Sequence, residues 1–249
     1  ASDVYKRQIM EDYAGKTVVI TGGTSGLGFA LARILGGRGA SIVITGRREE
    51  KGAEAVEKLR AEGVNARYLR QDVSSESDWN NLAFTVKSEF GGVDYLFNNA
   101  GVMLQPNALM KTSVSDWKWI MDTNFWGSLY GLRVFSGLMF TQPEGGRIVT
   151  TASTAGVSAF SGWAPYSVTK TALVRLVENY QAEAIKFELD KVKYNVSLPG
   201  VFESEIANST LHRNEEYNNI NGNGQEMPLS VAHTESGDRL GTVSYTHLR

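Results

Sequence analysis

"KTVVITGGTSGLG", residues 16–28, decides the fold. Its opening is a β-branched run bounded by glycines, which reads as a buried strand. Glycines follow at Gly22, Gly26 and Gly28, and "LGFALARILGGRG" then continues at helical spacing until further glycines stop it. A strand that turns through glycines straight into a helix is the opening unit of an α/β sheet. Gly22 allows the tight turn. Gly26 lets a pyrophosphate approach the backbone at the helix start, where free N–H groups and the helix dipole favour an anion. Gly28 permits close packing of helix on strand. The spacing is not that of the GxGxxG fingerprint, so the turn alone reads either as a nucleotide cradle or as a structural turn.

Working outward, the same alternation repeats. "SIVIT" (41–45) is a second strand and "EEKGAEAVEKLRAEG" a second helix. "ARYLRQDV" is a third strand, followed by a helix over 75–90 with Ser75 and Asp78 spaced as a capping box. "VDYLFNNAG" is a fourth strand. A long helix is expected over 115–141, a fifth strand at "GRIVTTAS", another long helix over 163–189 and a sixth strand at "KYNVSLPG". Strict β/α alternation predicts a parallel sheet with helices on both faces. After Ser204 the text becomes Asn-rich and weakly periodic, which reads as a loop or lid. The fold is expected to occupy residues 10–241 as one domain. "SDVYKRQ" and "VSYTHLR" look like translated adapter sequence, so residues 1–9 and 242–249 are read as tails outside it.

Composition narrows the function class. The 249 residues are 42% hydrophobic and 21% charged, with a net charge of -2, so nothing favours nucleic acid or an anionic membrane. No apolar run is long enough to span a bilayer. There is no cysteine, and the three histidines have no ligand spacing, so no metal site is expected. The expected setting is the cytoplasm.

In an open α/β sheet the ligand sits beyond the carboxyl ends of the strands. Asp72 and Val73 end the third strand, where the carboxylate fits either an adenine amino group or a helix N-terminus. Asn98, Asn99, Ala100 and Gly101 end the fourth and fit either a ribose or a brace between loops. Thr151 and Ser153 end the fifth, Tyr166 and Lys170 follow four apart on one helix face, and Pro199 and Gly200 end the sixth.

Taken together and in order, the TGxxxGxG turn, the Asp–Val pair, NNAG, an Asn within the long helix, Ser followed by YxxxK, and PG followed by a hydroxyl residue resemble the short-chain dehydrogenase/reductase family. The resemblance covers roughly residues 15–204. It implies a doubly wound Rossmann-type sheet in the order 3-2-1-4-5-6 and reversible hydride transfer to a small-molecule carbonyl or secondary alcohol. Tyr166 is then the general acid/base, its phenolate favoured by the Lys170 ammonium and the nicotinamide charge. Ser153 bonds the substrate oxygen, Lys170 also holds the nicotinamide ribose, and Asn124 in "MDTNFWG" holds a water that passes protons towards Lys170. The cofactor contacts implied are Gly22, Thr24, Ser25, Gly26, Leu27, Gly28, Arg47, Asp72, Val73, Asn98, Ala100, Gly101, Tyr166, Lys170, Pro199, Gly200, Phe202 and Ser204. NAD users of this type tend to carry an acid after the second strand. Here Gly46 stands there, with Arg47 and Arg48 following, so NADP(H) is the expected cofactor and NAD(H) the alternative. The competing reading is a non-catalytic NAD(P)-binding sensor or scaffold, against which the full Ser153–Tyr166–Lys170 set argues.

Gln105, Ser153, Trp163 and Tyr166 are the candidates for substrate contact, with "GVSAFSGWA" and residues 201–203 around them. The aromatic stretch "DWKWIMDTNFW" reads as packing, and the two long helices as the contact of a homodimer or homotetramer. Relatives of this length continue into a seventh strand, and no run after Gly200 supplies one. The expectation is therefore a chain cut short, with the sixth strand as an edge.

Overall fold

Thr17–Thr21 (β1) is buried at every position, and its side chains feed two separate cores. Val19 points to one face of the sheet, Val18 and Ile20 to the other, because successive strand residues alternate. The structure, a computed structural model, describes residues 13–200 and 205–217. Among these, six strands form one parallel sheet in the order β3-β2-β1-β4-β5-β6. They are β1, Ser41–Gly46 (β2), Ala66–Arg70 (β3), Tyr95–Asn98 (β4), Gly146–Thr151 (β5) and Val192–Ser197 (β6). Val19 pairs with Val43 on one side and Leu96 on the other, so these three line one face at the sheet's centre, while Val18, Ile20, Ile42 and Ile44 line the other.

Gly26–Gly36 (α1) and Glu49–Ala61 (α2) cover one face through Ala32, Leu35, Ala55 and Leu59. Glu76–Phe90 (α3) packs on the other with Trp79, Leu82 and Val86. The long helix expected over 115–141 is instead three pieces: Val114–Ile120 (α4), a π-helical turn at Met121–Trp126, and Gly127–Phe140 (α5). Such turns insert one residue into the i→i−4 ladder and recur at functional sites. This one holds Asn124. The second long helix, Ala164–Lys186 (α6), begins with Pro165 in its first turn and completes that face with Leu173 and Val177.

One capping expectation changes. Ser75 accepts from the Asp78 amide, but the Asp78 carboxylate reaches the Asp72 amide at 2.8 Å rather than returning to the Ser75 amide. The reciprocal box lies at Ser113 and Asp116, at the start of α4. The tails, Phe202, Ser204 and the region of the expected seventh strand lie outside the described residues.

Candidate active site

The glycine turn after β1 takes its shape from what surrounds it. Gly22 has φ +64° and Gly26 φ +51°, the left-handed region in which a side chain is strained. A Cβ on Gly28 would stand 2.4 Å from the Gly22 oxygen, so close packing of α1 on the turn requires glycine there. Ser25 is the N-cap of α1, yet its side chain makes no cap bond, which leaves the first amides of the helix to another acceptor. Thr24 lies over the end of β2, 3.2 Å from where a Cβ on Gly46 would be. A cradle with bare helix amides and no room for side chains fits a pyrophosphate.

Thr21 locks this turn to the next strand end. Its Oγ1 accepts from the amides of Asn99 and Ala100 at 2.9 Å each, and Asn99 Nδ2 donates to the Thr21 oxygen at 3.0 Å. Asn98 turns away: its Nδ2 donates to the Ser128 oxygen at 2.7 Å within the core. The amides of "NNAG" thus brace loops, one of the two roles expected of them, and the Asn98 side-chain N–H is used within the core. Gly101 sits where a Cβ would lie 3.4 Å from both Asn124 Oδ1 and Lys170 Nζ.

Asn124 is fully buried, and its carboxamide is committed. Oδ1 accepts from the Val102 amide at 2.8 Å, while Nδ2 donates to the Val102 oxygen at 2.9 Å and to Thr169 Oγ1 at 3.2 Å. Thr169 Oγ1 in turn donates to the Tyr166 oxygen at 2.7 Å. The expected water relay therefore does not run through the amide hydrogens of this side chain. The side chain is a brace, joining the π-turn, the segment after β4 and α6. Thr169 and Thr21 escaped the sequence reading because an ordinary threonine carries no spacing signal.

Tyr166 and Ser153 are both buried, and the serine hydroxyl is near enough to act on the phenol. Ser153 Oγ accepts from the Ala155 amide at 3.1 Å. Burial raises the Tyr166 phenol above its ordinary value, and the Ser153 hydroxyl pulls it back in part. The lowering expected from Lys170 is not found in the protein alone. Lys170 Nζ lies 5.5 Å from the centre of the Tyr166 ring but donates to the Thr151 oxygen at 2.8 Å. Complete burial lowers the Lys170 amine to about 8.

Around this pair Met103, Ile120 and Ala155 form a small apolar cluster, with Val102, Leu104, Trp163, Ile206 and Ala207 against it. Gln105 Nε2 donates to the Ala207 oxygen at 2.9 Å, so it ties two loops together. The Pro199 oxygen accepts from the Thr154 amide at 3.0 Å, and a Cβ on Gly200 would meet none of the described residues within 4 Å.

At the far end of the cleft, Asp72 Oδ1 accepts from Ser74 at both its amide (2.9 Å) and its hydroxyl (2.6 Å). Burial acts to raise this carboxyl, but the bonds from Ser74, then Arg47 and Asn214, outweigh it and hold it below the ordinary range. Val73 receives the Trp79 indole N–H on its oxygen at 2.9 Å and contributes packing. Arg47 Nη1 lies 4.0 Å from Asp72, its Nη2 donates to the His212 oxygen at 2.6 Å, and Arg48 contacts His212 Nε2 at 2.7 Å. Residues 205–217 thus reach from the Tyr166 cluster to the ends of β2 and β3, a path the sequence left as an unpatterned loop.

A glycine turn without room for side chains, a buried tyrosine and serine, and a lysine on the same helix face thus stand at the carboxyl ends of a doubly wound sheet. Comparison with known proteins gives the family. The short chain dehydrogenase model matches residues 16–215, and the chain belongs to that family of oxidoreductases. It is 38% identical over 194 residues to an A-factor type gamma-butyrolactone 1'-reductase of Streptomyces virginiae, covering 77% of this chain and 73% of that one. It is 30% identical over 210 residues to dehydrogenase/reductase SDR family member 4 of Oryctolagus cuniculus, covering 83% and 78%. A crystal structure of a short-chain dehydrogenase/reductase from Burkholderia phymatum in complex with NAD superposes with a TM-score of 0.82 at 32% identity, covering 90% of this chain and 78% of that one. Fold and family are thereby established. Among the described residues no helix is long and apolar enough to cross a membrane.

Proposed function

We propose that this protein interconverts a ketone or aldehyde and the corresponding alcohol, using NADP(H) in preference to NAD(H). The observation that carries the reading is the buried Tyr166–Ser153 pair, with Lys170 one helical turn on and a side-chain-free cradle beyond β1. The dinucleotide, when bound, supplies or accepts the hydride. Gly22, Gly26, Gly28 and the free amides of α1 would hold its pyrophosphate. Tyr166 donates its proton to the carbonyl oxygen in the reducing direction and takes it back in the oxidising one, and the Ser153 hydroxyl donates a hydrogen bond to that same oxygen. Lys170, charged below about pH 8, stabilises the phenolate left behind and holds the nicotinamide ribose. Asn124 and Thr169 position the helix that carries both.

The NADP(H) preference rests on Arg47 and Arg48 at the end of β2, where no carboxylate occupies position 46 to repel a 2′-phosphate. A homodimer or homotetramer remains the expected assembly, and Phe84 on α3 and Val168 on α6 are exposed apolar side chains available for it. A panel of ketones and aldehydes, followed by oxidation of NADPH and of NADH, tests activity and preference together. Tyr166→Phe should lose about 10²–10⁴-fold in kcat while keeping its affinity for the dinucleotide. A variant retaining more than half of kcat removes the assignment.

A further inference from the structure

Trp163 and Phe160 form an aromatic wall leading away from Tyr166. The Trp163 indole stands edge-on to the Tyr166 ring, with centroids 6.3 Å apart and planes at 90°. Phe160 stacks on Trp163 at 5.5 Å with planes 28° apart, and it is 39% exposed. The rings therefore run from the buried hydroxyl to solvent.

The wall is held in place from behind. Gly162, between the two aromatics, has φ +83°, and its oxygen accepts from the Asn107 amide at 3.1 Å. A Cβ at Gly162 would lie 3.2 Å from Pro106 Cβ, so the two loops are in direct contact. The residues that share the Tyr166–Trp163 cluster are apolar: Met103, Leu104, Ile206 and Ala207. Gln105 is used on Ala207 and Arg213 on Asp116, so these two are engaged within the protein.

From this arrangement we infer that the substrate is an uncharged carbonyl compound carrying a planar ring, which lies along Trp163 and Phe160 while its oxygen meets Tyr166 and Ser153. The inference deepens the function proposed above and rests on it for the placement of the oxygen. Aromatic pairs in offset-stacked or edge-to-face arrangement gain affinity beyond their area burial, a gain that a saturated ring without a π-system lacks. Phe160 is thus a specificity-determining residue, acting at the outer end of the wall.

The test is binding to the Tyr166→Phe variant saturated with NADPH, so that it does not depend on turnover. Three matched probes are titrated calorimetrically: 2-acetylnaphthalene, its fully saturated 2-acetyldecalin counterpart, and 6-acetyl-2-naphthoic acid. The expected order is the naphthalene ketone about fivefold tighter than the decalin ketone, with the carboxylated ketone weakest. Adding Phe160→Leu, which keeps the apolar area without the ring, should bring the first two within about twofold of each other. Equal affinity of the first two probes, tightest binding of the acid, no change with Phe160→Leu, or no binding of any probe each overturns the inference. If the naphthalene ketone binds as expected but Tyr166-intact protein never reduces it, the function proposed above fails while the ring-binding site stands.

Discussion

Lys170 Nζ donates to the main-chain oxygen of Thr151, 2.8 Å away at the carboxyl end of β5, inside a fully buried setting. The contact fixes the lysine to the sheet end rather than to the tyrosine one turn earlier. Burial disfavours the ammonium and lowers its pKa from 10.5 to about 8, so the charged form is carried at a cost. Between pH 8 and 10.5 the unfolded chain binds a proton here that the folded chain has released, so this group makes stability rise with pH across that window. Below pH 8 the cost is fully present. Replacing the amine by an isosteric apolar group, Lys170→Met, should therefore raise Tm at pH 7 while abolishing turnover. Thermal melts at pH 7 and pH 9.5 check it: the gain should shrink at the higher pH. A variant less stable than the parent at pH 7 would show that the bond to Thr151 outweighs desolvation.

Thr169 joins the two elements that carry the chemistry. It accepts from Asn124 and donates to the Tyr166 oxygen, with no solvent exposure. Thr169→Val keeps the shape and removes both bonds, leaving one buried Asn124 N–H without its acceptor, a cost of roughly 1–3 kcal/mol. The expected outcome is a lower kcat, an altered pH profile and a lower Tm, with Thr169→Ser restoring all three. If Val and Ser behave alike, the hydroxyl has no positioning role.

The architecture was legible because glycines, β-branched runs and turn residues follow the period of the elements they build, and the strand ends fell where "TGGTSGLG", "NNAG" and "GRIVTTAS" predict. The interruption at Met121–Trp126 was not legible, since "MDTNFW" keeps an unbroken helical pattern and a π-turn costs no visible residue. Asn98 and Asn124 illustrate a second limit. Sequence position placed both beside the cleft, but an amide has two donors and an acceptor, and only the fold decides that Ser128, Val102 and Thr169 use them. The role of residues 205–217 was hidden for the opposite reason: its contacts are single side chains on distant elements, without periodicity.

Arg47 sets the second prediction on function. Its guanidinium lies between Asp72 and the His212 oxygen, so a 2′-phosphate must compete with groups of this chain. A charge-assisted bond to phosphate contributes roughly 1.5–3 kcal/mol, about tenfold or more in affinity. Arg47→Ala should weaken NADPH binding by at least that factor and leave NADH within about twofold, read by fluorescence titration of each. Equal losses for the two, or tighter binding of NADH by the parent protein, would remove the proposed preference.

The anchor of residues 205–217 is Arg213. Its side chain is 9% exposed, paired with the Asp116 carboxylate, 3.2 Å from Ser115 Oγ and stacked over the Trp119 ring at 5.1 Å. Around it Ser115 Oγ donates to the Tyr217 oxygen at 2.8 Å, Tyr217 OH donates to Asp122 at 2.7 Å, and Asn214 reaches Asp72 at 3.3 Å. Burial acts to raise the Asp116 carboxyl, but the bonds from Arg213 and Ser113 prevail and hold it below 3.8. A depressed carboxyl contributes stability that is present above its unfolded value and lost as the pH falls through the folded one, so the anchor should hold at neutral pH and release only in acid. Arg213→Leu keeps apolar contact with Trp119 and removes the charge, while Asp116 retains its bonds from Ser113. Local opening is thereby made easier without loss of the sheet. Thermolysin digestion at pH 7, with fragments identified by mass spectrometry, should show cleavage near Leu211 at least tenfold faster in the variant and a melting temperature lowered only slightly. Unchanged cleavage there would mean that the contacts at Arg47, Asp72 and Gln105 hold the segment without Arg213.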